Sequence, residues 1–386
     1  MQKLNLIAST VFGLEAVVKK ECEKLGFENI SVSNGKVEFT GTQIDIARAN
    51  LWLRSAERVL VKLGEFKALT FDELYENTKK IEFESFLTEN GKFLVSGKSI
   101  KSKLKSVSDC QAIVKKALID RLTKEYDLLW FKEDGERYKI EVGLLKDIAT
   151  ITLDTSGQGL HKRGYRLEQN KAPMKETLAA ALVQLSNWKA NKPLVDLFCG
   201  SGTILIEAAM IAKNIAPGIG REFDFMKWPK FDISLFRQEK NLAYEAIKEI
   251  KLDIMGFDID NQAIKIARAN ALNAGLEEDI KFVRKDVKDV GLMNNFGVII
   301  SNPPYGERLG EEKELKEIYK ALAFLFKKIS TWSMFMITSD KKFEKNINKL
   351  ADKKRKLYNG RIEVDLYQFL GPNLDLLMWG YYAEIF

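Results

Sequence analysis

The sequence predicts an α/β protein in which a doubly wound, mostly parallel sheet fills the C-terminal half and a smaller α/β region precedes it. Three observations carry this. From residue 193 onward short apolar runs alternate with stretches of helical periodicity. A turn bearing two glycines, Asp196–Thr203, joins the first of those runs to a helix. Over residues 3–154, strand-like and helix-like segments also alternate, without an internal repeat or a low-complexity tract.

Residues 3–9 read as a strand, and the span from Gly13 to Gly26 as an amphipathic helix with Leu14, Val17, Val18 and Leu25 on one side. ISVSNGKVEFT at 30–40 reads as a hairpin turning at Asn34-Gly35. Thr70 and Glu73 form a capping-box pattern opening a helix. A strand at Phe93–Val95, a lysine-rich link, a helix from about Ser108 to Tyr126 and an extended pair over 137–154 complete the front region. Residues 155–173 are polar, basic and glycine-bearing, and read as a linker. Beyond it the expected order is helix 175–188, strand PLVDLF, helix TILIEAAMIA, strand KLDIMGFD, helix NQAIKIARANALNAG, then strands IKFVRKD and FGVIISN. An insertion separates the first two strands at about 213–250.

Size and composition limit the function classes. A chain of 386 residues with 46% hydrophobic and 30% charged residues has enough apolar material for two or three cores. No run of 18 apolar residues or signal-peptide pattern occurs, so a membrane-spanning or exported protein is not expected. Three widely spaced cysteines form no C-x-x-C pair, and His161 is the single histidine, which argues against a metal site or a histidine triad and fits a reducing cytoplasm. The formal charge of +7 favours a polyanionic partner.

The chemistry-bearing residues collect at strand ends. Gly200 and Gly202 let backbone approach a ligand closely, but the third glycine of a dinucleotide fingerprint is Leu205. Asp196, Asp258 and Asp286 end three successive strands. They match a carboxylate ladder for S-adenosylmethionine: Asp196 near the ammonium, Asp258 at the ribose and Asp286 at the adenine amine. Cys199, inside the loop, reads as a buried filler.

A fourth strand runs into Asn302-Pro303-Pro304-Tyr305. Two prolines fix this backbone and leave carbonyls without competing amide donors, which suits a loop receiving an amine. If the Asn302 oxygen and the Pro303 carbonyl accept its two hydrogens, the amine nitrogen can turn its lone pair towards a sulfonium methyl for in-line displacement. Tyr305 is expected to stack on a flipped or unpaired base.

These motifs, with the LDTSG…LHKRGYR stretch at 153–166, APMKETLAAAL at 172–182 and SNPPYGERL at 301–309, give a sequence that resembles the bacterial THUMP-containing RNA guanine N2-methyltransferases. The resemblance implies a ferredoxin-like piece over 1–55, a THUMP RNA-binding domain over 56–155, a basic linker over 156–173 and a Rossmann-like class I methyltransferase domain over 174–386. It also implies that Asn302, Pro303, Pro304 and Tyr305 hold the target amine, and that Asp196, Phe198, Gly200, Gly202 and Thr203 bind the cofactor. Asp258 and Asp286 carry over on strand order. Thr203 is read as a cap of the following helix, and Lys175 and Glu176 as residues able to shape the pocket.

RNA is the expected partner, ribosomal RNA ahead of tRNA. Lys92, Lys98, Lys101, Lys103 and Lys105 in one loop, and His161, Lys162, Arg163 and Arg166 in the linker, are the candidate phosphate contacts. Arg308 is a further candidate for the substrate backbone, or pairs with a neighbouring glutamate. The proline loop also suits adenine N6 or glutamine N5, so an adenine-N6 methyltransferase acting on RNA or DNA is the competing enzyme. A non-catalytic RNA-binding assembly factor is the competing binding protein.

Overall fold

The computed structural model describes residues 2–166, 174–292, 296–304 and 312–372. Tyr305 and Arg308 lie outside the described residues. The front of the chain forms β1 (Leu4–Ser9), α1 (Glu15–Lys24), β2 (Glu28–Ser33), β3 (Lys36–Gly41), α2 (Gln43–Trp52) and β4 (Arg58–Lys67). It continues with α3 (Phe71–Lys79), β5 (Lys92–Ile100), α4 (Val107–Glu125), β6 (Arg137–Leu145) and β7 (Ile148–Asp154). Its seven strands share one sheet in the order β2-β3-β1-β4-β7-β6-β5, in which only β5 and β6 run parallel. The Thr70 hydroxyl accepts the Glu73 amide at the start of α3, while the Glu73 carboxylate reaches back to the Leu69 amide. Both bonds satisfy helix-start donors that would otherwise lack partners.

The second half runs α5 (Glu176–Leu185), β8 (Leu194–Asp196), α6 (Thr203–Ala212), α7 (Ile233–Glu245), β9 (Ile254–Asp258) and α8 (Asn261–Asn273). Then come β10 (Ile280–Arg284), β11 (Val298–Ser301), α9 (Glu312–Lys328), β12 (Ser333–Thr338), α10 (Phe343–Asn346), β13 (Lys353–Asn359) and β14 (Ile362–Phe369). The sheet order is β10-β9-β8-β11-β12-β14-β13, and β14 alone runs against the other six strands. Adjacent residues feed opposite faces. Leu194, Val298 and Ile300 enter one core with Leu178, Leu182, Ile206 and Ile264 of α5, α6 and α8. Val195, Ile299, Met334 and Met336 enter the other, with Tyr319 and Leu322 of α9. Both faces are covered, which is why these strands read as unbroken apolar runs.

Contacts divide the chain into two compact units that interleave along the sequence. The first unit comprises Met1–Thr10, Val18–Lys162 and Pro217–Glu245; the second comprises Val11–Val17, Arg163–Ala216 and Ala246–Phe386. The insertion after α6 therefore belongs with the front of the chain. Within the first unit, Arg48 of α2 pairs with Glu239 of α7 at 2.8 Å, the Gly218 amide bonds the Leu51 carbonyl and the Phe225 amide bonds Thr155. Residues 156–166 are largely buried. Thr155 and Ser156 are fully buried, and Ser156 joins the Asn50 carboxamide and the Val59 amide. Among the described residues, no helix is long and apolar enough to cross a membrane.

Candidate active site

The loop after β8 is shaped by its glycines. Gly200 and Gly202 adopt φ of +52° and +81°, and Gly202 is the N-cap of α6. A Cβ on Gly202 would lie 2.9 Å from the Phe282 ring, whereas one on Gly200 would meet nothing within 4 Å. Gly202 is therefore closed by packing, and Gly200 faces open space.

Two of the three strand-end acids brace this loop. Asp196 is buried, and its Oδ1 accepts both the Phe198 amide at 3.1 Å and the Ser301 hydroxyl at 2.8 Å. Ser301 in turn accepts the Leu197 amide at 2.7 Å. One hydroxyl thus ties the end of β8 to the last residue before Asn302, a role that nothing in the local sequence announces. Burial pushes the Asp196 carboxyl up to about 7, against the pull of the Ser301 and Phe198 bonds. Asp258 accepts the Gly200 amide at 2.9 Å through Oδ2 and the Asp260 amide at 2.9 Å through Oδ1, and burial raises its carboxyl too. The next residue, Ile259, is 63% exposed, an apolar side chain left open beside the acid. Asp286 accepts the Lys288 amide at 3.0 Å, so it serves at least as a local cap.

Phe198 is half-buried against the second core. Cys199 is buried near Asp196 and Asp258, and its thiol is pushed well above its ordinary value, first by burial and then by those carboxylates. It is a packed filler and not a nucleophile. Asn302 and Pro304 are half-buried and Pro303 is buried, directly after β11, which pairs with β8. The glycine loop and the proline loop thus leave adjacent strands at the same end of the sheet.

Two of the arginines expected on RNA are interior residues. Arg163 lies 2% exposed against Glu207 at 3.3 Å, and the same carboxylate accepts Tyr165 Oη at 3.1 Å. Arg166 donates to the Met174 carbonyl at 2.9 Å and to Thr203 Oγ1 at 2.6 Å, with its Nε 3.5 Å from Glu176. Neither is available to a phosphate. Thr203 does not cap α6 but receives Arg166, so Arg166 and Glu176 together hold the start of α6 and the approach to α5. Burial raises the Glu176 carboxyl. Because Arg166 and Glu176 are both buried, Arg166→Met alone is expected to cost about 3–5 kcal/mol in urea unfolding by stranding Glu176. Adding Glu176→Leu should restore most of that. A single variant no less stable than the double would refute the pairing.

In the first unit, Ser102 and Leu104 turn inward while Lys101, Lys103 and Lys105 are exposed around a depression of about 490 Å³. Lys98 is exposed but pairs with Glu141 at 2.7 Å. Lys162 is exposed, and His161 is half-buried with Nδ1 3.8 Å from Glu57.

The strand order, with the first strand of the sheet at its centre, the last antiparallel and a glycine loop braced by acids from two strands, is that of a class I S-adenosylmethionine-dependent methyltransferase. Residues 163–368 match the RMKL-like methyltransferase domain, residues 5–60 the RlmL ferredoxin-like domain and residues 68–154 the THUMP domain. The chain belongs to the RlmK/L-type family of methyltransferases. It is 51% identical to "Putative RNA methyltransferase YpsC" of Bacillus subtilis (strain 168) over 96% of both chains. It is 36% identical to ribosomal RNA large subunit methyltransferase K/L of Psychromonas ingrahamii over 95% of its own length, and spans 50% of that protein. A crystal structure of "SMU.472, a putative methyltransferase complexed with SAH" superposes with a TM-score of 0.92 at 45% identity, covering 97% of this chain and 100% of the other.

Proposed function

We propose that this methyltransferase acts on RNA, ribosomal RNA ahead of tRNA, and methylates the exocyclic N2 amine of a guanine. The observation that carries this reading is the pair of adjacent strand ends. The acid-braced glycine loop leaves β8, Asn302-Pro303-Pro304 leaves β11, and Ser301 joins them. The open side of Gly200 and the carboxylates of Asp196 and Asp258 fit S-adenosylmethionine. When bound, that cofactor supplies a methyl group already attached to its leaving group.

The chain's own part is then alignment. Asp196 holds the cofactor ammonium, Asp258 its ribose and Asp286 its adenine amine, with Phe198, Gly200, Gly202 and Thr203 shaping the loop. Ile259 offers the adenine an apolar surface. Asn302 and the Pro303 carbonyl accept the two amine hydrogens, which steers the nitrogen lone pair towards the methyl group. Tyr305 stacks on the base. The THUMP match and the exposed Lys101, Lys103 and Lys105 support an RNA substrate, with Lys98, His161 and Lys162 as further contacts.

The test is incubation with methyl-labelled cofactor and separated ribosomal RNA and tRNA from a strain lacking the gene, followed by digestion and nucleoside mass spectrometry. Label in N2-methylguanosine from the ribosomal fraction is the expected result. Label in N6-methyladenosine would replace guanine by adenine. No label in any RNA pool or precursor particle, with cofactor bound, would leave a non-catalytic assembly factor.

A further inference from the structure

The second unit carries a dense stretch of positive charge. Residues 340–361 contain nine basic and three acidic side chains, a net +6 within 22 residues. This stretch follows β12, forms α10 and β13, and ends at the turn into β14, so it makes one edge of the second unit's sheet.

Part of the charge is matched locally. Lys341 meets Glu363 and Asp365 at 2.8 and 2.9 Å, Lys356 meets Glu363 at 2.5 Å and Lys354 stands 3.8 Å from Asp365. Lysines on an edge strand also discourage pairing with other chains, which accounts for Lys354 and Lys356. It does not account for Lys342, Lys345 and Lys349, which precede the strand. Together with Lys353 they are exposed, and among the described residues none of the four meets a carboxylate.

Strand register places this edge beside the candidate active site. Ser301 of β11 is level with Met336 of β12, Met336 with Tyr367 of β14, and Tyr367 with Lys354 of β13. β13 runs in the same direction as β11, so residues after Lys354 extend towards the end of the sheet from which Asn302 emerges. Three strand spacings separate β13 from β11, or about 14 Å. That end of the strand carries an exposed aromatic ring. Phe12 is 51% exposed and meets Tyr358 edge to face, with centroids 6.2 Å apart. Arg355 donates to the Gly13 carbonyl at 3.3 Å, which ties the Phe12 turn to β13. An exposed aromatic at one end of a row of exposed cations is what a single strand needs: phosphates take the charge along the edge and a base stacks on the ring.

We propose that the β13 edge, with Phe12 as its stacking platform, is a second RNA-binding surface, which holds the single strand flanking the target base. The proposal rests on the RNA reading above. Its test compares full-length parent, a K345E/K349E/K353E variant and Phe12→Ala, with K101E/K103E/K105E as the reference for the other unit. Cofactor affinity and circular dichroism monitor folding. The triple variant on the β13 edge is expected to raise the KM for RNA by on the order of 100-fold and to flatten the slope of log K against log salt by about 2. Phe12→Ala should raise KM about 5- to 100-fold with the salt slope unchanged. A parent that methylates RNA while the β13 variants match it in KM and salt slope overturns this surface and leaves the proposed function standing. A parent that methylates no RNA overturns both.

Discussion

Asn302→Ala is expected to lower kcat by about 10²- to 10³-fold while the affinity for S-adenosylmethionine and the KM for RNA stay within a few-fold of the parent. The magnitude is that of removing one preorganised polar group from a reacting centre. Asn302 follows the fully buried Ser301, whose hydroxyl is engaged by both Asp196 and the Leu197 amide, so the backbone that presents it is held before substrate arrives. Asn302→Asp keeps an acceptor oxygen at the same position and should lose less than the alanine variant. Single-turnover methyl transfer with saturating RNA measures this directly. An alanine variant that turns over at the parental rate would remove Asn302 from the chemistry, and equal losses in both variants would remove the acceptor argument.

Asp196→Asn should separate stability from cofactor binding. The buried carboxyl is held up at about 7, against an ordinary value of 3.8. Below pH 4 it is protonated in folded and unfolded chains alike and contributes no difference. Between pH 4 and 7 only the unfolded chain ionises it, so stability falls as pH rises, and above pH 7 the loss is complete at roughly 4 kcal/mol. Both donors to Asp196 bond the same oxygen, Oδ1, and an asparagine carbonyl can accept them equally. The variant is therefore expected to match the parent near pH 4 and to exceed it in stability above pH 7. Binding should run the other way. A cationic ammonium beside this acid favours its ionised form, so parental cofactor affinity should climb up to tenfold per unit as pH rises to about 7 and then level off. The variant, lacking the charge, should bind on the order of 100-fold more weakly without that pH dependence. Calorimetric titration from pH 5.5 to 8.5 decides this, and a flat parental profile would place the ammonium elsewhere.

Local features of the sequence were enough to locate the loops but not their supports. Gly200, Gly202, Asp196, Asp258 and Asn302 are legible because each sits at or just after the end of a short unbroken apolar run. Ser301 was invisible as a function-bearing residue: a small polar side chain at a strand end gains its role only from β8, more than a hundred positions earlier in the chain. Arg163 and Arg166 were misread for a related reason. A basic, glycine-bearing stretch looks solvated unless Glu207 and Glu176 are known to lie against it. α2, β4, α7 and everything after β11 went unassigned, and in β13 the run Lys353–Lys356 hides the alternation that marks a strand, since an edge needs only Leu357 of its seven residues to be fully buried.

The interleaving of the two units has a consequence for how the protein can be made and dissected. On the ribosome, the first unit cannot finish folding when residue 162 emerges, because α7 and its flanking turns arrive some 55 to 83 residues later, after β8 and α6 of the other unit have already been synthesised. For the same reason a fragment cut at the apparent boundary near residue 160 lacks the helix that covers α2 and leaves Arg48 without Glu239. A fragment beginning there lacks Leu14 and Val17 from its own core. Neither cut yields a whole folding unit, so activity and RNA binding have to be studied in the undivided chain.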